Sequence, residues 1–380
     1  MRKLLVYPLL VVFGAVSTQL HAMQQAFLVQ NSGWMEPFYV DSTSQFKPLV
    51  AAVAAAVSAA DDTTYTLAFN QSSGTSVSPV LLGMGRGASD VSRQIASLSV
   101  ARKDSGALAD TDFQEAISRT ITGQFKGASG IVWILTNNRN SPNNDPKTAE
   151  RNREFYRLLH MEPSITKTLA FPLRMPVQGK LYAAKGLMIY ALAYGKPASD
   201  ALDRILSDGR IAKVLTQAPA RLKPIDQDAM RIVPEAMKDV PGVQLSLGSD
   251  QRTLVVDVDA ASVVPTMTMS GSLQNLFYPY VIKSANVEAA LEGPFGRSAV
   301  MVTPSVINDL APASKQAVDV RFALPMAQVP SLWSAQALSA MGKRVILPLN
   351  VEISLSTQRL VLSDAFTAEM GELFPGDPIS

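Results

Sequence analysis

The sequence predicts an α/β domain, with a doubly wound, mostly parallel sheet, followed by an all-β domain with the character of a sandwich. Two observations carry that fold class. From Ala26 to about Gln217, short apolar runs alternate with longer helical patterns, as in βαβ units. Past Pro219 the chain changes to short segments that alternate with period two between turn residues. A third observation places the start of the fold. Arg2 and Lys3 precede an apolar run from Leu4 to Val16, and "STQLHA" ends on the small residue Ala22. This order reads as a signal peptide over residues 1–22, cleaved after Ala22. The run contains Pro8 and is shorter than the roughly 20 apolar residues of a membrane anchor, so cleavage is preferred.

Each element follows from its residues. "AFLVQ" is the first strand, and the alanine-rich "TSQFKPLVAAVAAAVSAA", with Pro48 near its start, is the first crossover helix. "TTYTLAFNQ" and "SVSPVLLG" form a hairpin-like pair at one edge, where Pro79 is tolerated. "ASDVSRQIASL" reads as a helix with Ser89 or Asp90 as its cap, and "FQEAISRTI" as an amphipathic helix. The unbroken apolar run in "GIVWILTNN" belongs at the centre of a sheet. "DPKTAERNREFYRLLHME" is a charged surface helix with Pro146 in its first turn, "ITKTLAFPL" and "KGLMIYALAYG" are strands, and "ASDALDRILSDGRIAKVL" closes the domain as a helix. Over 218–380, "GVQLSLG", "TLVVDVDA", "PTMTMSGSL", "YPYVIKSANVEAALEG", "RSAVMVTP", "AVDVRFALP", "RVILPLNVEISLS" and "QRLVLS" read as strands, with one late helix, "SLWSAQALSAMGK".

Composition removes several function classes. With 380 residues, 47% of them hydrophobic, the chain can fill two cores. Its 34 basic residues fall to 32 once Arg2 and Lys3 are removed, against 32 acidic ones, so no global field draws it to nucleic acid or an anionic membrane. The absence of cysteine excludes disulfides, thiolate metal sites and cysteine nucleophiles. His21 leaves with the leader, which makes His160 the sole imidazole available to any zinc or triad mechanism. At the end of a charged helix, His160 is suited to complement the helix dipole. The expected protein is exported, periplasmic or extracellular, without stable membrane insertion.

Three loops, "QNSGWM", "ADTDFQEAI" and "TNN", fall at the carboxyl ends of strands that such a sheet places side by side. Together with the flanking "TDFQEAI" and "IVWILTNN", they resemble the von Willebrand factor A-like (vWA) family over about residues 24–217. That family's first loop reads D-x-S-x-S, its second supplies a threonine and its third an aspartate, and together they hold a divalent cation at a metal-ion-dependent adhesion site. Carried over position by position, the resemblance keeps Ser32 and Thr111. It places Gln30 at the first aspartate, Trp34 at the second serine and Asn137 at the third aspartate. Both matching carboxylates are gone.

A hard cation is held by charge and by oxygens that replace its water shell. The resemblance therefore implies a degenerate site, with no tight metal and at most weak binding of an ion such as Mg2+ through Ser32, Thr111 and Asp112. Asp110, Asp112, Glu36 and Asp41 could supply a substitute carboxylate, but each is equally suited to cap a helix or sit exposed in a loop. Trp34, with Phe38 and Tyr39 nearby, either forms an aromatic binding patch at the top of the sheet or folds back into the vacated space. "GMGRGAS" partly matches a dinucleotide fingerprint but follows the wrong strand, so it reads as a turn. The functional expectation is a non-enzymatic protein-binding or adhesion-type scaffold using Gln30, Ser32, Trp34, Thr111 and Asn137. The alternatives are a structural subunit of an envelope or surface assembly, or a hydrolase using Asp110 and Asp112.

Overall fold

The computed structural model describes residues 22–139, 155–159, 161–223, 230–237, 243–247, 254–258, 266–293, 296–323 and 350–375. The leader before Ala22, His160, the late helix at 331–343 and most of the charged helix at 145–162 lie outside them. The first sheet contains β1 (Gln24–Gln30), β2 (Thr63–Phe69), β3 (Val80–Arg86), β4 (Gly130–Thr136), β5 (Ile165–Gln178), β6 (Ala183–Tyr194) and β7 (Ala220–Arg221). Their spatial order is β3-β2-β1-β4-β6-β5-β7. The unbroken apolar run does put β4 at the centre, and all of its residues are buried. As the "SVSPVLLG" segment predicts, β3 lies at the edge, antiparallel to β2.

Helices cover both faces because side chains alternate along these strands. Phe27, Val29, Ile131, Trp133 and Leu135 pack on one face with Phe38 of α1 (Glu36–Val40) and against α2 (Phe46–Val57), α3 (Val91–Ala96) and α5 (Lys196–Ser207). Ala26, Leu28, Val132 and Ile134 face the other way, towards α4 (Phe113–Arg119) and α6 (Asp364–Leu373). In α2 an alanine-rich sequence of high helix propensity buries Phe46, Val50, Val53, Ala54 and Val57, which share one stripe at helical spacing. Burying each large side chain of these cores contributes about 1.5–3 kcal/mol.

The sheet is mixed rather than mostly parallel. Only β2, β1 and β4 run parallel to one another, while β6, β5 and β7 continue the sheet antiparallel. The physical reason is the short link between β5 and β6. Gln178 pairs with Ala183 across a turn, and a parallel crossover would need about a dozen residues.

The second half is β-rich, as its period-two pattern predicts. β8 (Met230–Met237), β11 (Met267–Asn275), β12 (Tyr280–Gly293), β13 (Gly296–Thr303), β14 (Val306–Leu310), β15 (Lys315–Phe322) and β16 (Asn350–Leu362) join one antiparallel sheet. One edge of the long β12 pairs with β14 and then β13, and the other pairs with β16 along nearly its whole length; β13 carries the sheet on by pairing with β12 through Gly296–Val300 and with β15 through Met301–Thr303. β9 (Val243–Leu247) and β10 (Leu254–Val258) form a separate hairpin. The final helix, α6, returns to the first sheet. Its cap is Ser363, whose hydroxyl accepts from the Phe366 amide at 3.4 Å, and its Phe366, Met370 and Leu373 enter the first domain's core. Among the described residues, no helix is long and apolar enough to cross a membrane.

Candidate functional site

At the carboxyl end of β1 the buried chain ends in a polar residue, Gln30, which has no exposed surface. A buried primary amide costs free energy unless both its donor and its acceptor are used. Here both are used. The Gln30 Nε2 donates to Ser32 Oγ at 2.8 Å and to Thr111 Oγ1 at 2.9 Å, and Thr111 Oγ1 donates to Ser32 Oγ at 2.6 Å. On the other side, Gln30 Oε1 accepts from the Thr136 hydroxyl and from the Asn137 amide at 3.2 Å. The Gln30 carbonyl accepts from the Tyr39 hydroxyl at 2.8 Å. Ser32, Thr111 and Thr136 are as fully buried as Gln30, and Asn137 is nearly so.

Main-chain contacts hold the loops that supply these groups. Gly33 N donates to Ala109 O at 2.8 Å, Ala101 N to Asn31 O at 2.7 Å and Gln71 N to Asp110 O at 2.8 Å. The second loop is therefore stitched to the ends of β1 and β2. Gly33 is required by this approach, because a Cβ there would stand 2.6 Å from Leu108 Cβ. Asn138, with φ of 63°, turns the chain out of β4 and accepts from the Tyr190 hydroxyl at 2.5 Å. Asparagine tolerates that left-handed conformation better than most residues.

Above the buried network lies a half-exposed aromatic layer. Asn137 Nδ2 donates to the Trp34 carbonyl at 2.5 Å and to the Tyr182 hydroxyl at 3.0 Å. The Trp34 and Tyr182 rings meet edge to face, with centroids 5.4 Å apart. The Arg139 guanidinium stands over both, 4.8 Å from the Trp34 ring and 5.4 Å from that of Tyr182. Burial pushes the Tyr182 phenol up to about 12, against the opposing effects of the Asn137 hydrogen bond and the Arg139 charge. Burial alone raises the Tyr39 phenol far above its ordinary value.

All five residues singled out from the sequence meet here: Gln30, Ser32, Thr111 and Asn137 through side chains, Trp34 through its carbonyl and ring. The second loop, which the sequence placed after a strand, instead runs from α3 to α4; the space between it and the ends of β1 and β4 is filled by the Gln30 amide, and Trp34 lies above, half-buried. Phe38 and Tyr39 do not join an aromatic patch with Trp34. Phe38 is buried, and both rings pack on Phe46 at the start of α2. The carboxylates weighed as substitutes are engaged elsewhere. Asp110 pairs with Lys103 at 2.5 Å, Asp112 caps α4 by accepting from Glu115 N at 2.9 Å, Glu36 accepts from Lys180 N at 3.1 Å, and Asp41 accepts from Gln178 N at 2.7 Å.

Sequence reasoning missed Thr136, Tyr182 and Arg139. Thr136 and Arg139 flank the recognised Asn137, but Tyr182 comes from the turn between β5 and β6 and carried no local signal. Gly83 to Arg86 of "GMGRGAS" complete β3, and Gly87, with φ of 58°, makes the turn that follows. A neighbouring cleft of about 320 Å³ borders Asn31, Asn70, Val80, Arg102 and Lys103, and its lining includes no carboxylate or imidazole. No family model matches the chain, and no curated protein or solved structure matches it.

Proposed function

We propose that the chain is an exported, non-enzymatic protein-binding scaffold, in which a vWA-like domain contacts a protein partner through the loops at the top of its first sheet. One observation carries this reading: the convergence of Gln30, Ser32, Thr111 and Asn137 in a closed neutral network beneath the Trp34–Tyr182–Arg139 layer. The network supports the resemblance, because the three loops that carry the resemblance supply it. Its chemistry supports contact without a metal bridge. The Gln30 Nε2 already donates to the two hydroxyls that would otherwise face an ion, and a neutral amide brings no charge to hold one.

The contact itself falls to the layer above. Trp34 and Tyr182 supply apolar area, and arginine and tryptophan are common anchors of protein interfaces. A guanidinium stacked on rings keeps its N–H edge available, which suits a partner's carboxylate. The adhesion-type role, the periplasmic or extracellular location and the absence of enzymatic activity belong to this same proposal.

Two measurements test it. Thermal unfolding with magnesium, manganese or calcium, and with a chelator, should give coincident midpoints; a clear rise with any of these ions overturns the metal-free account. Partner capture from the envelope fraction, run in chelator, should succeed with the wild type and fail with Arg139→Ala or Trp34→Ala at unchanged folding. A Trp34→Ala chain that loses stability but keeps its partner would favour the structural-subunit reading instead.

A further inference from the structure

Asp62 is an acid buried to 5% exposure in the turn before β2. Its Oδ1 accepts from Met23 N at 2.9 Å, and its Oδ2 accepts from Gln25 Nε2 at 2.5 Å and Ala59 N at 2.8 Å. Gln25 is fully buried and is itself fixed, donating to Val57 O at 3.0 Å and accepting from Trp133 Nε1 at 2.9 Å. Three N–H groups thus converge on the carboxylate. Among the described residues, no lysine or arginine forms an ion pair with it. A buried carboxylate with hydrogen bonds but no countercharge is an expensive arrangement.

The nitrogen nearest to supplying that charge belongs to Met23. It follows Ala22, the small exposed residue that ends the leader-like sequence. Met23 is held on its other side as well, since its carbonyl accepts from Thr63 N at 3.0 Å. We propose that the Ala22–Met23 bond is the maturation site and that the Met23 α-ammonium released there is the counter-ion of Asp62. Hydrolysis by a processing endopeptidase breaks the C–N bond. Water supplies the second oxygen of the Ala22 carboxylate, and the Met23 nitrogen takes up protons to become an ammonium. One of its N–H groups keeps the bond to Asp62 Oδ1, and the others reach solvent where the leader leaves. A hydrogen bond in which only the acceptor is charged becomes an ion pair, and fastens the start of β1 to the start of β2 through Asp62, Gln25 and Trp133. The consequence is a domain that gains stability only after its leader is removed.

The inference rests on reading residues 1–22 as a leader, and its test separates the cleavage from the ion pair. The full chain is exported from a bacterial host, and the N-terminus of the exported product is sequenced; Met23 is expected, and any other first residue overturns the assignment. Separately, the chain beginning at Met23 with a free amine is compared by thermal unfolding with the same chain N-acetylated and with one that retains Ala22. The free amine at Met23 should unfold at least about 2 °C higher than either, on the scale of stability to midpoint for a domain of this size. In an Asp62→Asn background the advantage should vanish. Equal midpoints in the wild-type background overturn the ion pair, as does an advantage that persists in Asp62→Asn. The acetylated and Ala22-retaining chains keep the test decisive if Asp62→Asn does not fold.

Discussion

Replacing Gln30 by methionine removes the hub of the buried network at nearly constant volume. Ser32 and Thr111 keep each other, through their 2.6 Å bond, and Thr136 Oγ1 still accepts from Asn138 N at 2.9 Å. Two donors lose their acceptor: the Thr136 hydroxyl and the Asn137 amide. Each buried donor left without a partner costs about 1–3 kcal/mol, so Gln30→Met should destabilise the chain by about 2–6 kcal/mol. Thr136→Val alone orphans one lone pair of Gln30 Oε1 and the Asn138 amide. In the double variant one lost partner answers the other, so the combined cost should fall short of the sum by about 0.5–3 kcal/mol, the range of coupling between directly interacting residues. Urea unfolding of the four chains measures this, with the slope against denaturant checked for constancy. A Gln30→Met loss below about 1 kcal/mol, under the cost of a single orphaned donor, or strictly additive variants would refute the claim that the amide organises the site.

Two further outcomes follow from the same cluster. Gln30→Glu puts a carboxyl group into a fully buried position, where desolvation favours its neutral form; its folded value is then raised, the unfolded chain ionises first, and the stability deficit should grow as pH climbs past the ordinary glutamate range. Urea midpoints against pH test this, and a deficit that shrinks with rising pH refutes it. Tyr182 and Tyr39 both start from an ordinary value of 10.0 and are raised by burial, Tyr182 to about 12. Their contribution is therefore intact below pH 10.0 and is lost as pH rises through the window from 10.0 to about 12, with Tyr39 extending it further. Tyr182→Phe should unfold less steeply with pH in that window than the wild type, and parallel curves would contradict the assignment.

What the sequence revealed and what it hid have the same physical origin. β1 and β4 were legible because strands covered on both faces must be apolar throughout, and "AFLVQ" and "GIVWILTNN" leave little alternative. The end of each of these two runs marks the top of the sheet and so locates the loops after β1 and β4; the individual residues Gln30, Ser32, Thr111 and Asn137 came from the resemblance to the vWA family, and Thr111 follows no apolar run. Strand direction was not legible in the same way: "KGLMIYALAYG" buries its residues equally well parallel or antiparallel to β4, and only the short turn after β5 distinguishes the two. Tyr182 sits in that turn, so its arrival beside Trp34 depends on the same unread feature. Helix α6 was overlooked although Ser363 followed by Asp364 is a recognisable helix start; the strand pattern of "QRLVLS" ran directly into it.

The identity of residue 30 decides what kind of site the three loops can form. A glutamine offers two donor hydrogens and a carbonyl oxygen with two lone pairs, whereas a carboxylate only accepts. Here Nε2 meets Ser32 and Thr111, and Oε1 meets Thr136 and Asn137. Every capacity is matched inside the protein. With a carboxylate in that position, the two hydroxyl oxygens on the far side would face an acceptor; the Ser32 hydrogen could answer it while Thr111 keeps its bond to Ser32, but a buried negative charge would then stand among neutral groups. A cation would resolve the conflict by drawing all the oxygens towards itself. The amide resolves it without one, since its own N–H groups stand where positive charge would otherwise be needed. Among the described residues, the Arg139 charge stands above this network, carried on Trp34 and Tyr182. It lies on the outer side of a sealed polar core, where it can face a partner.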